Sequence, residues 1–299
     1  MAAHLFWRIF IASAEGGNFN YMSLWSLDFQ DASGVSLCVG GTATASSHYS
    51  SFTPDRLFPG GANDWVSNNE MPCWVAYQFT SPVEPAKVVL SNSNTGNNPV
   101  CMALESSDDG VTYTREWILT KPATWTLHAP VTYNAPAIGA TTAPYWGMFA
   151  DIMLSGTMVV SELAFNDASG TIILGSFNYV GCRNDAGSYS WALCWDGDLT
   201  NFVRSLGTAI PGQYTTAQYP APVSVASFSL TNYTDGFYRL YIPESGAMYT
   251  SVDGLAWGFS WAFDPSNATN YPPPGPSQTV TWRGVFPNTA RRHQLINPI

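Results

Sequence analysis

The sequence predicts an all-β protein made of two related antiparallel domains in tandem. Aromatic residues make up 14% of the chain and charged residues only 11%, with 25 Gly and 21 Pro. This composition is typical of β-sandwiches and barrels that carry long loops. Many short segments alternate between apolar and polar residues, as half-buried strands do. The landmarks of the first half of the chain also return in the same order in the second half, which indicates one module used twice.

The clearest repeat is an alternating strand that runs into Asp-Ala-Ser-Gly. It occupies residues 24–34 and again residues 160–170, and its last four residues predict a turn. Four further pairs of segments keep the same order: 7–10 with 146–149, 58–65 with 195–202, 74–79 with 214–219, and 107–113 with 251–257. We therefore expect the turns to be scaffold, and function to lie in the loops that differ between the copies, namely 12–20, 42–70 and 175–212.

The order of predicted strands and turns indicates the domain boundaries. In chain order we expect strands near residues 5–11, 21–29, 74–79, 87–90 and 102–105, a hairpin turn at 107–110, a closing strand near 125–127 and, in the second copy, a closing strand at 279–282. Residues 122–144 are rich in Pro, Ala and Thr, and 271–276 form a stiff polyproline-like spacer. The predicted division is a first domain at 1–130, a linker at 131–144, a second domain at 145–286 and an extended C-terminal arm at 287–299.

Charge and cysteine content exclude several classes of function. The formal net charge of −10 argues against a nucleic-acid partner. Residues 264–299 hold one Asp and three Arg, a sum of +2, so the remainder carries −12. The five cysteines contain no Cys-x-x-Cys pair, which favours buried free thiols over a zinc site or a disulfide framework. We expect no secretory signal and no membrane insertion, because no apolar run reaches about 18 residues.

Several segments together resemble a known family. They are residues 7–11, 24–34, 40–46, 60–67, 74–83 and 107–113. In this order they resemble the discoidin (coagulation factor 5/8 type C) branch of the galactose-binding-like jelly rolls, and most closely the tandem copies in bacteriophage tail and virion proteins. The resemblance covers most of 5–130 and, more loosely, 145–263. It implies an eight-stranded antiparallel sandwich in each copy, with loops at one end that bind sugars or lipid head groups.

The resemblance also implies a structural calcium ion beside the binding loops of many such domains. The family's calcium loop has Asp-Gly followed by Asp or Asn and Thr, and only the second copy keeps this pattern, at Asp196, Asp198 and Thr200. Carboxylate and carbonyl oxygens in a tight loop are suitable calcium ligands. An acidic turn without metal is the alternative interpretation. The first copy lacks the leading Asp, and no other cofactor is expected.

Aromatic side chains in polar loops are the strongest functional signal. Aromatic rings next to Asn, Asp or Arg form a platform for the apolar faces of sugars. The candidate ligand-binding residues are His48, Tyr49, Arg56, Asn63, Trp65 and Asn68 in the first copy, and Arg183, Asn184, Tyr189, Trp191 and Arg204 in the second. For Trp65, next to a Gly-rich turn, a plug in the hydrophobic core is the competing interpretation.

These observations lead to three functional hypotheses. The first is a non-enzymatic phage virion protein (tail, fibre or baseplate), made in the host cytoplasm, that adheres to host surface glycans and contacts other virion proteins, with homo-oligomers expected in the particle. The second is a purely structural tail or capsid-decoration subunit that assembles through its C-terminal arm; the first two are compatible. The third is a carbohydrate-active enzyme or its binding module, which is disfavoured because no catalytic motif is present.

Overall fold

Antiparallel strands form nearly all the regular structure of the chain, which confirms the predicted all-β class. The structure is a computed structural model that describes residues 2–14, 21–70, 72–93, 97–153, 159–160, 162–173, 176–178, 203–204, 213–231, 243–269, 271 and 279–283. Within them, two compact units separate: Met1–Pro136 with Leu255–Gly258, and Ala137–Gly254 with Phe259–Ala290. The jelly-roll and galactose-binding-like detail remains a prediction.

The first unit contains nine strands and one short 3-10 helix in its N-terminal segment, within the described residues. They are β1 (His4–Ala14), β2 (Ser23–Gln30), β3 (Thr42–Ala45), the 3-10 helix (Pro54–Leu57), β4 (Trp65–Val66), β5 (Cys73–Val83), β6 (Lys87–Asn92), β7 (Pro99–Ser107), β8 (Thr114–Thr120) and β9 (Pro130–Asn134). Strand β9 crosses the boundary between the predicted first domain and the predicted linker. It pairs with β6, so this stretch belongs to a sheet.

The remaining strands lie in the second half of the chain. They are β10 (Ala143–Met153), β11 (Val159–Val160), β12 (Glu162–Asn166), β13 (Ser176–Asn178), β14 (Val203–Arg204), β15 (Gln213–Val223), β16 (Ser227–Thr231), β17 (Pro243–Ser251), β18 (Ala256–Phe263), a 3-10 helix (Pro265–Asn267), β19 (Ala268–Thr269) and β20 (Thr279–Arg283). None of the helical segments in the described ranges is long and apolar enough to cross a membrane.

Two sheets enclose the core of the first unit. One has the strand order β3–β5–β1–β7–β8, and the other has the order β4–β2–β6–β9. Alternation along β1 turns Trp7, Ile9 and Ile11 inward, where each is fully buried. They form one cluster with inward residues of the second sheet, among them Leu27 and Tyr133. The second unit has a comparable cluster between β13–β15–β10–β17–β18 and β12–β16–β20–β19.

Equivalent contacts recur in the two units. The Trp7 indole Nε1 donates to the carbonyl of Val83 over 3.0 Å, and the Trp146 Nε1 donates to the carbonyl of Val223 over 3.0 Å. Both pairs lie where the register of the first strand shifts against its neighbour. The sequence repeat therefore corresponds to a repeated hydrogen-bonded framework.

The Asp-Ala-Ser-Gly turn is also built alike in both units. Asp31 Oδ1 accepts from the amide of Ser33 and the amide of Val35, each over 2.9 Å. Asp167 Oδ1 accepts from the Ser169 amide over 2.8 Å and from the amide four residues after the Asp over 2.9 Å. The carboxylate thus supplies the acceptor for amide donors that the tight turn leaves unpaired, which explains why Asp occurs at this position in both copies.

The described cysteines are reduced and buried. Cys38, Cys73 and Cys101 lie in no disulfide. Burial raises the pKa of the Cys38 thiol to about 12 and raises the pKa of Cys73 as well. Desolvation disfavours the thiolate, so these two side chains behave as small hydrophobic residues. The other two cysteines lie outside the described residues.

We predict that the stability of the first unit depends on the charge of Asp31. The Ser33 hydroxyl, followed by the Val35 amide, lowers the pKa of Asp31 from its usual value. The stabilisation is therefore complete above the unfolded-state pKa of about 4 and is lost as the pH falls through the folded-state pKa. In urea titrations, Asp31→Asn should be less stable than the wild type at neutral pH, with the gap closing in acid. Asp55→Asn, at an exposed carboxylate in the 3-10 helix, is the control. A stability gap that does not depend on pH would contradict the prediction.

A second prediction concerns the hairpin glycine Gly110, whose φ is +72°. A Cβ there would lie 3.0 Å from the Phe6 ring, whereas a Cβ at Gly60, with φ +88°, meets nothing within 4 Å. Gly60→Ala should cost about 1–2 kcal/mol of unfolding free energy from left-handed backbone strain alone. Gly110→Ala should cost about 1 kcal/mol more, because the ring must also shift. Equal losses in urea unfolding would contradict this account.

Candidate functional site

An open depression of about 560 Å³ lies in the first unit where the start of β2 meets the end of β4. Ser23 and Val66 pair across these two strands and both line the depression. The full lining set is Tyr21, Ser23, Tyr49, Asp64, Val66, Ser93 and Asn97. The volume lies within the range of about 300–1,000 Å³ that is usual for small-molecule sites.

Trp65 anchors the loops around the depression. Its side chain is fully buried in the core, and its indole Nε1 donates to the carbonyl of Ser47 over 3.1 Å. The amide of Tyr49 donates to the carbonyl of Val66 over 2.8 Å, and the amide of Asn68 donates to the Ser47 hydroxyl over 3.0 Å. The segment 47–49 is thereby fixed along β4, with the Tyr49 ring left exposed.

Arg56 holds the turn that carries Asp64. Its Nε lies 3.1 Å from the carbonyl oxygen of Asn63 and 3.2 Å from that of Asp64, and donates to both. The amide of Asn63 donates to the carbonyl of Arg56 over 2.8 Å. The positively charged guanidinium therefore stabilises two backbone carbonyl groups that point towards it. Its Nε–H is occupied by these hydrogen bonds within the loop.

The polar side of the depression combines a carboxylate with an unpartnered hydroxyl. Asp64 Oδ1 accepts a hydrogen bond from the Ser93 hydroxyl over 2.6 Å. The Ser23 side chain is 5% exposed, and its Oγ has no hydrogen-bond partner among the described residues. A buried hydroxyl without a partner costs free energy, and the Asp64 carboxylate is therefore the polar group that the depression presents.

The apolar side of the depression consists of two tyrosine rings. Tyr21 is 38% exposed and Tyr49 is 48% exposed. Their ring centroids are 5.6 Å apart with an interplanar angle of 79°, the favourable edge-to-face geometry for an aromatic pair. Each ring helps to hold the other in place, so the depression has an ordered aromatic surface.

Backbone strain is concentrated around this site. The non-glycine residues with positive φ in the described chain are Ser50, Asn63, Asp64, Asn69 and His128. Four of these five lie in the loops between β3 and β5. Asn, Asp and His tolerate the left-handed region better than other residues, and strain of this kind clusters at binding sites.

The structure brings some of the predicted first-copy residues to the depression and not others. Tyr49 lines it, whereas Trp65 lies fully in the core beneath it. His48 is exposed, with its Nδ1 3.0 Å from the carbonyl oxygen of Ser50. Asn63, Asn68 and Arg56 shape the surrounding loops through the hydrogen bonds described above.

Six of the seven lining residues were not among the sequence candidates. Asp64 and Val66 lie in the predicted loop region, but Tyr21, Ser23, Ser93 and Asn97 come from strand ends on either side. In the sequence, the only feature that could have pointed to these residues is that polar side chains occur at the ends of predicted strands. The pairing of β2 with β4 and with β6 was needed to bring them together.

Most second-copy candidates lie outside the described residues. This applies to Arg183, Asn184, Tyr189 and Trp191, and to the calcium candidates Asp196, Asp198 and Thr200. For Arg204 the structure gives the backbone pairing with Val159 in β14 and β11. In the described ranges, no group of three or more His, Cys, Asp or Glu residues is arranged to hold a metal ion. The predicted arm at 287–299 also lies outside the described residues.

No protein-family model, curated protein or solved structure matches this chain. The resemblance to discoidin-like domains remains an expectation from the sequence. The geometry of the depression is therefore the basis for any functional proposal.

We predict that Arg56→Met destabilises the protein by about 1–2 kcal/mol, because two carbonyls lose a charged donor. Arg56→Lys should recover only part of this loss, since a lysine lacks the planar donor geometry. The measurement is the free energy of unfolding in urea. Arg283→Met, at an exposed position in β20, removes the same charge and should have little effect. Equal destabilisation by the two methionine variants would contradict the role of Arg56.

Proposed function

We propose that the protein is a non-enzymatic glycan-binding protein, and that the depression around Tyr49 and Asp64 binds a neutral sugar. The observation that carries the proposal is a depression that presents the Asp64 carboxylate together with two exposed tyrosine rings. Sugar hydroxyls both donate and accept hydrogen bonds, and the C–H faces of the sugar ring pack on aromatic rings. The depression offers both kinds of partner.

The charge of the site favours a neutral sugar over an acidic one. Asp64 is the one charged side chain among the described lining residues, and the whole chain carries a formal charge of −10. The Nε of Arg56, close to Asp64 in the structure, donates to two backbone carbonyls. A uronate, sialate or sulfate group would meet the like charge of the Asp64 carboxylate, whereas a sugar hydroxyl can donate to it.

The same lining argues for binding without hydrolysis. Glycoside hydrolysis ordinarily uses two carboxyl groups that flank the scissile bond, about 5–10 Å apart. Asp64 is the one carboxylate among the described residues of the lining. A carboxylate that accepts hydrogen bonds from a sugar and from Ser93 can orient the ligand without acting as half of a catalytic pair.

The sequence resemblance extends the proposal to a biological setting. Tandem discoidin-like domains of phage tails and virions are the expected relatives, and host surface glycans are the corresponding ligands. We therefore propose a virion protein that attaches to host polysaccharide, with contacts to other virion proteins. The purely structural alternative depends on residues 287–299, for which the described residues provide no observation.

We predict that the full chain binds neutral glycans on an array and that Tyr49→Ala and Asp64→Asn weaken this binding at least about tenfold, or about 1.4 kcal/mol. The first variant removes the exposed ring. The second removes the charge but keeps a side chain that tolerates the positive φ of this position. Calorimetry with the best array ligand measures the change. Because the ligand is neutral, the dissociation constant should change little between low and high salt.

Asp55→Asn is the matched control, since it removes one carboxylate charge from the same loop region at an exposed position. It should bind as the wild type does. Absence of binding to every neutral glycan, or equal binding by the wild type and both site variants, would overturn the proposal.

A further inference from the structure

The bulge in β2 presents a second aromatic surface next to the depression. The register between β2 and β6 pairs Leu24 with Asn92 and Ser26 with Ser91, so Trp25 is an extra residue in its strand. Bulges of this kind redirect a side chain out of the regular alternation. Trp25 is accordingly half-buried, whereas the preceding Leu24 is fully buried in the core.

The redirected Trp25 ring is stacked with His128. The two ring centroids are 3.8 Å apart with an interplanar angle of 19°. His128 is exposed and has a φ of +58°. Its amide donates to the carbonyl of Asn92 over 3.2 Å. A left-handed backbone and a bond to the end of β6 thus fix an imidazole flat against an indole at the surface.

Backbone contacts place this stack beside the polar side of the depression. The amide of Asp64 donates to the carbonyl of Trp25 over 3.0 Å, and Ser93, which bonds to Asp64, directly follows the residue that accepts from His128. Trp25 also lies two positions along β2 from the unpartnered Ser23, a separation of about 7 Å. This separation is comparable with the length of one sugar residue in a chain.

We propose that the Trp25–His128 stack is a second sugar subsite and that the ligand is a neutral oligosaccharide of at least two residues. One sugar binds in the depression at Tyr49 and Asp64, and the next residue of the chain packs on the stack. The inference rests on the proposed function, because it assigns a further binding surface to the same site. It specifies the ligand as an oligosaccharide chain rather than a free monosaccharide. It also assigns ligand contacts to two residues outside the depression, Trp25 and His128.

The test compares ligands of increasing length on the full chain. The probes are linear oligomers of glucose, galactose, mannose and N-acetylglucosamine, from the monosaccharide to the hexamer, measured by calorimetry. In a series that binds, the dissociation constant should fall about tenfold between the monosaccharide and the trimer, as expected for one added aromatic contact. Similar dissociation constants for the monosaccharide and the trimer would overturn the second subsite and leave the proposed function intact.

Variants of the stack identify the surface responsible for the gain. His128→Asn removes the imidazole but keeps a residue that tolerates positive φ, and it should bring the monosaccharide-to-trimer ratio close to one. Trp25→Phe keeps a flat ring and should retain part of the gain. Leu127→Ala changes a neighbouring side chain that is 49% exposed and should leave the ratio as in the wild type.

The remaining outcomes separate the two proposals. If His128→Asn keeps the full gain with chain length, the stack is not the second subsite and the inference is wrong. If no oligomer binds, both the inference and the proposed function fail. Asp64→Asn should weaken binding of every oligomer in proportion, which distinguishes loss of the first subsite from loss of the second.

Discussion

The structure of each unit depends on one buried tryptophan in its first long strand. Trp7 and Trp146 are fully buried, and each indole N–H donates to a backbone carbonyl on the neighbouring strand. The ring fills the centre of the core, which contributes stability in proportion to its apolar area. The hydrogen bond satisfies the indole N–H, which would otherwise be a buried donor without a partner. This hydrogen bond joins the first strand to its neighbour near the point where their register shifts. It thereby helps to set which side chains of the two strands point into the core.

Because the strand register is fixed in the core, the loops at one end of the sheets can hold residues with a strained backbone. The positive φ values of Asn63 and Asp64 persist because the surrounding structure over-determines them. Trp65 is locked in the core, and Arg56 is bonded to both carbonyls of the strained turn. The cost of ordering these loops is therefore met on folding rather than on ligand binding. The loop that carries Asp64 is consequently fixed in the folded protein.

Local patterns predicted the strands and turns well, but they located the site only in part. Alternation of period two revealed the strands around Trp7 and Phe29, and the Asp in each repeated turn was placed by its hydrogen-bonding chemistry. Tyr49 was found because an aromatic ring in a polar loop is conspicuous. Ser23 and Ser93 were missed because an ordinary serine is not distinctive in the sequence, and only the pairing of β2 with β4 and β6 brings the two residues to one depression. Arg56 looked like a ligand-binding cation, and its carbonyl partners exist only in the folded turn.

The two copies share a hydrogen-bonded framework, whereas their loop sequences differ. Corresponding hydrogen bonds of the two Asp-Ala-Ser-Gly turns agree to within 0.1 Å, so the framework is built alike at both turns. The residues of the depression come from strand ends and from the loop between β3 and β5, where the framework imposes few requirements on side chains. Asp64 and the bulged Trp25 are linked by a backbone hydrogen bond, which fixes their spacing independently of side-chain identity. In the proposed site, a different ligand would therefore require changes only in the exposed side chains, while the sheet sets the distance between the two surfaces.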